Sequence, residues 1–306
     1  MSHESRLALA VDIGGTKIAV AVFRDGKIEL LNRFATPDDP LRAVKLITES
    51  VEKAGLAAKI GAAGIGAPGP LDSAGGRMLK PPNLRGWWDF PLAKMISESL
   101  GCPVRLENDA NLGALGEAVF GSGKGLDSVF YLTISTGIGS GLIINGKIHG
   151  GRKGMAGEVW AVKPGFFSGN SEGPTIMDLA SGPGMVRCAH QRLTKGRESV
   201  LSPDELNTRM LIEAALNGDS VAKKTLEDGR DAIAGLLTTV IELIAPDAII
   251  LGGGLCTESA WFIDPVIKRI RDWTEIPELA DIPVYRAQMW DDAVLYGASQ
   301  LVADLC

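Results

Sequence analysis

The residues Leu7 to Val22, LALAVDIGGTKIAVAV, constrain the chain more than any other stretch. Two apolar runs flank a Gly-Gly turn, the pattern of two antiparallel strands joined by a tight hairpin. One carboxylate, Asp12, ends the first run, and Gly14, Gly15, Thr16 and Lys17 fill the turn. Glycines let bare backbone N–H groups approach a phosphate. Thr16 and Lys17 add a hydroxyl and a positive charge, while Asp12 suits a Mg²⁺ ion and its waters. An ordinary glycine hairpin with an incidental acid satisfies these residues equally well.

With 306 residues, the chain is long enough for two domains with separate cores. A 45% apolar and 22% charged composition is that of a soluble globular protein. The net charge of −6 argues against nucleic acid as the main partner. Cys102, Cys188, Cys256 and Cys306 are far apart and form no CxxC pair, which argues against a structural zinc site or a disulfide framework. The leading MSHESRL is too polar for a signal sequence, and the apolar segment Ala232 to Leu251 is interrupted by Glu242, Pro246 and Asp247. A cytoplasmic location without membrane association is expected.

Further along, Lys27 to Ala35 reads as a third strand, Pro40 to Gly55 as a helix and Ala62 to Gly66 as a strand leading into GAPGPLD. Gly64, Gly66 and Gly69 spell G-x-G-x-x-G, but Pro68 and Pro70 remove donors and no helix opens there, so a dinucleotide fingerprint is rejected. In KPPNLRGWW, Trp87 and Trp88 read as packing residues of a surface loop. Helix over Pro91 to Leu100 and strand over Pro103 to Glu107 lead to ENDANLGALGEA, where Asn108 and Asp109 stand at a strand-to-helix junction. Either is suited to be an N-cap, and Asp109 also to be a general base. Val129 to Ile134 and the glycine turn STGIGSG repeat the opening plan of strand, glycine hairpin and strand, which suggests two related halves. Pro164 to Gly173 reads as loop, Thr175 to Arg192 as a helix broken near Gly182-Pro183-Gly184, and Pro203 to Asn217 and Ser220 to Ile244 as helices. Ala248 to Leu251 reads as a buried strand entering Gly252-Gly253-Gly254. Pro265 to Trp273 and Asp291 to Leu305 read as helices and Val284 to Arg286 as a strand, so the class is α/β.

DIGGTK, GAPGPLD, PNLRGW, ENDAN, STGIGSGL, GMAGE, ASG and LGGG occur here in the order found in the ROK family of sugar kinases, which includes bacterial glucokinases. Nearly the whole chain resembles that family. The resemblance implies a two-domain actin-like fold of the sugar kinase, Hsp70 and actin superfamily, with the active-site cleft between domains. Residues 1–108 plus 291–306 would form the N-terminal domain and 109–290 the C-terminal domain. Asp12, Gly14, Gly15, Thr16 and Lys17 would bind the ATP phosphates, with Asp12 near Mg²⁺. Thr136, Gly137 and Gly139 would form a second phosphate loop, and Gly253 and Gly254 would lie by the adenosine. Asn83, Asn108, Asp109 and Glu158 would bind the sugar, with Asp109 as catalytic base.

Two departures stand out. Family members read G-E-x-G-H, whose histidine binds zinc and sugar, whereas here Glu158 is followed by Val159, Trp160 and Ala161. The family's C-x-C-G-x-x-G-C-x-E segment is replaced by SGNSEGPTIMDLASG, with Met177 roughly at the glutamate position. No zinc is therefore expected, and recognition of the anomeric side of glucose is in doubt; Glu172 and Asp178 are candidate substitutes. The expected reaction is transfer of the γ-phosphate of ATP to a hydroxyl of a hexose or hexose-like polyol, with Mg²⁺, and a homodimer is the candidate assembly. A catalytically inactive sugar sensor is the alternative, and retained Asp12 and Asp109 weigh against it. A repressor of the same family would need a DNA-binding region, which the acidic charge disfavours.

Overall fold

The hairpin around Asp12 forms as the alternation of apolar runs and glycines dictates. In the computed structural model, which describes residues 6–164, 172–257 and 260–306, β1 (Leu7–Ile13) and β2 (Lys17–Arg24) pair antiparallel with Ile13 opposite Ile18. β3 (Lys27–Ala35) adds antiparallel to β2, while β4 (Ile60–Ala67) lies parallel to β1. β1 is buried on both faces because it is the middle strand, whereas β3 sits at the edge and carries Lys27, Glu29 and Arg33. Such charges discourage pairing with another chain. α1 (Pro40–Lys53) starts at Asp39, whose carboxylate accepts from the Leu41 N–H at 2.9 Å, and buries Val44, Ile47 and Val51.

A short ribbon of β5 (Leu71–Asp72) and β6 (Arg77–Met78) precedes α2 (Leu92–Leu100), and β7 (Val104–Asn108) completes a sheet of order β3-β2-β1-β4-β7. α3 (Asp109–Phe120) follows directly. Trp87 is fully buried in this core and donates its indole N–H to the Pro37 carbonyl at 2.9 Å, while Trp88 is half exposed. Trp87 is thus a packing residue as expected, though in the core and not at the surface, while Trp88 stays on the surface of the loop.

The second sheet repeats the first: β8 (Ser128–Ile134), β9 (Ile138–Ile144), β10 (Lys147–Ile148), β11 (Ala248–Gly252) and β12 (Val284–Arg286) run in the order β10-β9-β8-β11-β12. β8, β11 and β12 are parallel, as β1, β4 and β7 are. The glycine turn between β8 and β9 is shorter than expected, because Gly139 and Gly141 already belong to β9. The helix expected over Thr175 to Arg192 with a break near Gly182-Pro183-Gly184 is two helices, α4 (Ile176–Ala180) and α5 (Gly182–Thr194). Ser181 ends the first and caps the second, accepting from the Gly184 N–H at 3.1 Å. A short 3₁₀ turn then leads to α6 (Thr208–Leu216), followed by the 25-residue α7 (Ser220–Ile244), α8 (Gly254–Thr257), α9 (Ala260–Trp273), α10 (Pro277–Ala280) and the closing α11 (Ala293–Leu301).

Contacts divide the chain into two units. One holds the residues up to Asp127, Gly141–Ala156 and Gln288–Cys306; the other holds Ser128–Ser140 and Gly157–Ala287. This division departs from the expected boundary at Asn108/Asp109, since α3 belongs to the first unit. The reason is steric: a Cβ on Gly116 would overlap the Ala293 carbonyl, and one on Gly297 would overlap the Leu112 carbonyl, so α3 and α11 pack backbone to backbone. Gly64 and Gly66 serve the same purpose, opening β4 to Ala298 and Val294 of α11. The first two glycines of the rejected dinucleotide motif thus serve strand-to-helix packing. Among the described residues, no helix is long and apolar enough to cross a membrane.

Candidate active site

In the first unit the glycine turn is held from several sides. The Gly14 N–H donates to the Lys17 carbonyl at 2.9 Å, and Thr36 donates its hydroxyl to the Gly14 carbonyl at 2.7 Å. The Thr36 N–H donates to the Thr16 carbonyl at 3.0 Å. Gly15, Thr16 and Lys17 are exposed, and a Cβ on Gly15 would come within 3.4 Å of the Asn83 Cβ. The fold thus brings the PNLRGW loop against the hairpin. Lys17 reaches Asp291 at 3.7 Å, an exposed ion pair joining the hairpin to the residues before α11.

Asn108 and Asp109 take different positions at the junction of β7 and α3. Asn108 is the N-cap: its Oδ1 accepts from the N–H groups of Ala110 at 2.9 Å and Asn111 at 3.3 Å. Such a cap contributes about 1 kcal/mol. It leaves the amide nitrogen, which lies 3.5 Å from where a Cβ on Gly69 would stand, so the GAPGPLD loop borders it. Asp109 is the first helical residue, half-buried, where the helix dipole favours an anion. Glu107 braces the pair by accepting from the Asn108 N–H at 2.7 Å, the Asn111 side-chain amide at 3.0 Å and Ser73 Oγ at 3.3 Å.

Asp12 and Asp109 lie close enough to feel each other's charge. Burial at the end of β1, and after it the charge of Asp109, raise the Asp12 pKa from its ordinary 3.8 to about 7 against the opposing effect of Lys17. Arg33 also opposes the rise and Asp291 adds to it. A half-buried carboxylate beside other carboxylates is short of positive charge. Mg²⁺ takes oxygen ligands, few of them from protein when phosphates and waters supply the rest, so this all-oxygen set fits it. Among the described residues no group of three or more His, Cys, Asp or Glu is placed to hold a metal by itself.

The second unit assembles its own polar cluster. Ser135, Thr136 and Gly137 form the turn after β8, with Thr136 exposed, and the Gly182 N–H donates to the Ser135 carbonyl at 2.9 Å. Met177 faces this turn, its Cε 4.0 Å from where a Cβ on Gly137 would stand. Gly253, at φ 86°, lies against the end of β8, where a Cβ would overlap the Ile134 carbonyl; Gly254 is exposed and opens α8. Two of the expected nucleotide segments therefore meet within one unit.

Glu158 caps the 3₁₀ turn Val159–Ala161 and is exposed, and its carboxylate accepts from the indole N–H of Trp160. Ser140 on β9 fixes that turn by donating to the Gly157 carbonyl at 2.5 Å. Of the two candidate substitutes, Asp178 is committed elsewhere. It closes a capping box with Thr175 and pairs with Arg187 at 3.1 Å, and these hydrogen bonds lower its pKa. Glu172 is exposed at the edge of the described chain, and Ser168 to Ser171 of the replaced segment, with most of the Pro164 to Gly173 loop, lie outside the described residues.

Sequence reasoning missed Thr36, Glu107, Ser140 and Asp291. Thr36 and Asp291 have no local signal, since they reach the hairpin only through pairing and chain return. Glu107, immediately before Asn108-Asp109, was legible as a buttress.

Two sheets of the same strand order, each with a glycine turn between its first antiparallel strands, together with an acid at the first turn and another at a helix start, define the actin-like class of ATP-dependent sugar kinases. The chain belongs to the ROK family, whose model matches residues 8–305. It is 36% identical to the glucokinase of Streptomyces coelicolor over 97% of this chain and 98% of that one. It is 31% identical to the N-acetylmannosamine kinase of Vibrio cholerae over 95% and 97% of the two chains. A ROK family glucokinase from Streptomyces griseus, solved in complex with glucose and AMPPNP, superposes with a TM-score of 0.78 at 34% identity, covering 97% of this chain and 99% of that one.

Proposed function

We propose that the protein transfers the γ-phosphoryl group of ATP to a hydroxyl of a hexose or hexose-like substrate, with Asp109 as general base. The observation that carries this reading is the pairing of Asp12 and Asp109, two carboxylates from separate elements that share one electrostatic field. Phosphoryl transfer needs alignment, charge neutralisation and a base for the hydroxyl. Asp109 takes the hydroxyl proton as the substrate oxygen bonds to the γ-phosphorus and the bond to the ADP oxygen breaks. Asp12 would hold Mg²⁺, directly or through water, and the ion supplies neutralisation of the phosphate charge.

Gly14, Gly15, Thr16 and Lys17 bind phosphate in this reading, with Thr136, Gly137 and Gly139 as a second phosphate loop and Gly253 and Gly254 by the adenosine. Asn83, the free amide of Asn108 and Glu158 bind sugar hydroxyls. The glucose and AMPPNP of the Streptomyces griseus glucokinase support both ligand classes.

ADP release measured across hexoses, N-acyl amino sugars, ketoses and cyclitols tests the reaction. Asp109→Asn should lower turnover about 10²–10⁴-fold with nucleotide affinity near normal. Retention of more than about half the activity would make Asp109 a helix-start residue only. Sugar binding without ADP release from any sugar would replace this reading with an inactive sensor.

A further inference from the structure

Glu117 lies on α3 two turns beyond Asp109, and it is fully buried. A buried carboxylate persists only where donors satisfy it. Here one oxygen accepts from the backbone N–H groups of Ser122 at 3.0 Å and Gln288 at 3.1 Å, and the other from that of Met289 at 2.7 Å. Gly121 leaves the room, since a Cβ there would overlap the carboxylate. Gln288 and Met289 are where the chain re-enters the first unit.

The next residue is strained. Trp290 has φ 47°, a left-handed conformation in which a bulky side chain is an outlier, and its side chain is 58% exposed. Packing of the indole therefore does not account for the strained backbone. Such outliers mark places where surrounding structure imposes a conformation for a purpose. Asp291 follows, with its carboxylate 3.7 Å from Lys17 Nζ. Asp292 then leads into α11, which is locked to α3 by the glycine approaches described above.

We infer that Glu117 is a positioning residue: it clamps the strained 288–292 turn so that Asp291 meets Lys17 and steadies the glycine hairpin. The contact runs from a buried acid in one helix to an exposed lysine in the hairpin, through a turn that would otherwise relax. Calling this a device for ATP rests on the hairpin's proposed role; the clamp itself does not.

Hydrogen exchange on the nucleotide-free full chain tests the clamp without any activity. Glu117→Gln places an amide against backbone donors, and Met289→Pro removes one donor at a residue whose φ of −81° suits proline. Asp291→Asn removes the far end of the connection. Each should raise amide exchange of residues 14–17 at least about fivefold, and the Glu117→Gln/Asp291→Asn double variant should exchange no faster there than the quicker single variant. Trp290→Asn, which tolerates a left-handed backbone, should restore slow exchange of 14–17 in the Glu117→Gln background. Loosening confined to 288–292, with the hairpin unchanged in the variants that fold, would make Glu117 a local structural residue and overturn the inference.

Steady-state kinetics then separates the clamp from the functional reading. The same variants should raise KM for ATP several-fold while KM for the sugar stays within about twofold. Coupled exchange in a protein that binds no ATP would sustain the clamp and defeat the phosphate assignment. A rise in both KM values together, with additive effects of the two substitutions, would defeat the clamp.

Discussion

Asp12→Asn should stabilise the metal-free protein at alkaline pH, although it removes a proposed metal ligand. In the folded chain Asp12 has a pKa of about 7 against an ordinary 3.8, chiefly through burial and then through Asp109. The folded state therefore keeps a proton between these values that the unfolded chain has lost, so stability falls as pH rises from about 4 to about 7 and levels off above. At about 1.36 kcal/mol for each tenfold change in proton affinity, the loss reaches roughly 1.5 kcal/mol by pH 5 and about 4 kcal/mol by pH 8. A neutral isostere does not titrate, so its advantage over the wild type should grow by about 2.5 kcal/mol between those two pH values. Urea unfolding in EDTA reads this directly. With an m value of about 2 kcal/mol/M, the midpoint of Asp12→Asn should gain about 1 M on the wild type between pH 5 and pH 8. Excess Mg²⁺ and nucleotide should reverse the order at pH 8, because they bind the ionised wild type. A variant that tracks the wild type at both pH values, or is the less stable at pH 8 without metal, refutes the assignment of Asp12 as a strained, cation-seeking carboxylate.

Two further outcomes concern the sugar side of the second unit and the metal content of the whole chain. The indole N–H of Trp160 occupies part of the Glu158 carboxylate, and Ala161 stands where the family pattern has a histidine. Some sugar differing from glucose at its anomeric side should therefore exceed it in kcat/KM by at least about tenfold, roughly 1.4 kcal/mol, and Trp160→Phe should narrow that ratio. A panel with glucose clearly first would refute this. Elemental analysis should find no stoichiometric zinc, because the ordinary set of four N or S ligands is not supplied by the four separated cysteines and three histidines; one zinc per chain, lost on unfolding, would contradict it.

Much of the chain is legible in its sequence. The Leu7–Val22 hairpin, the strand into Asn108, the ENDAN junction and the LGGG strand end are all local patterns, set by side-chain alternation, glycine and helix capping. Backbone geometry over a few residues decides them, so sequence suffices. The break near Gly182-Pro183-Gly184 is legible as well, and the structure adds only how Ser181 closes it, its hydroxyl donating to the Met177 carbonyl and accepting from the Gly184 N–H.

The tertiary structure decided what lies far apart in the chain. Whether α3 belonged with the first or second unit turned on Gly116 and Gly297, whose missing side chains matter only because Ala293 and Leu112 face them. Asn108 became the cap and Asp109 the half-buried acid through the same chain turn, but the state of Asp12 needed burial and a second carboxylate almost a hundred residues away. Asp291 and Glu117 carried no pattern at all in sequence. Residue types and local spacing fix which atoms a segment can offer; only the packed chain fixes desolvation and the distance between charges, and those two quantities set how the offered atoms behave.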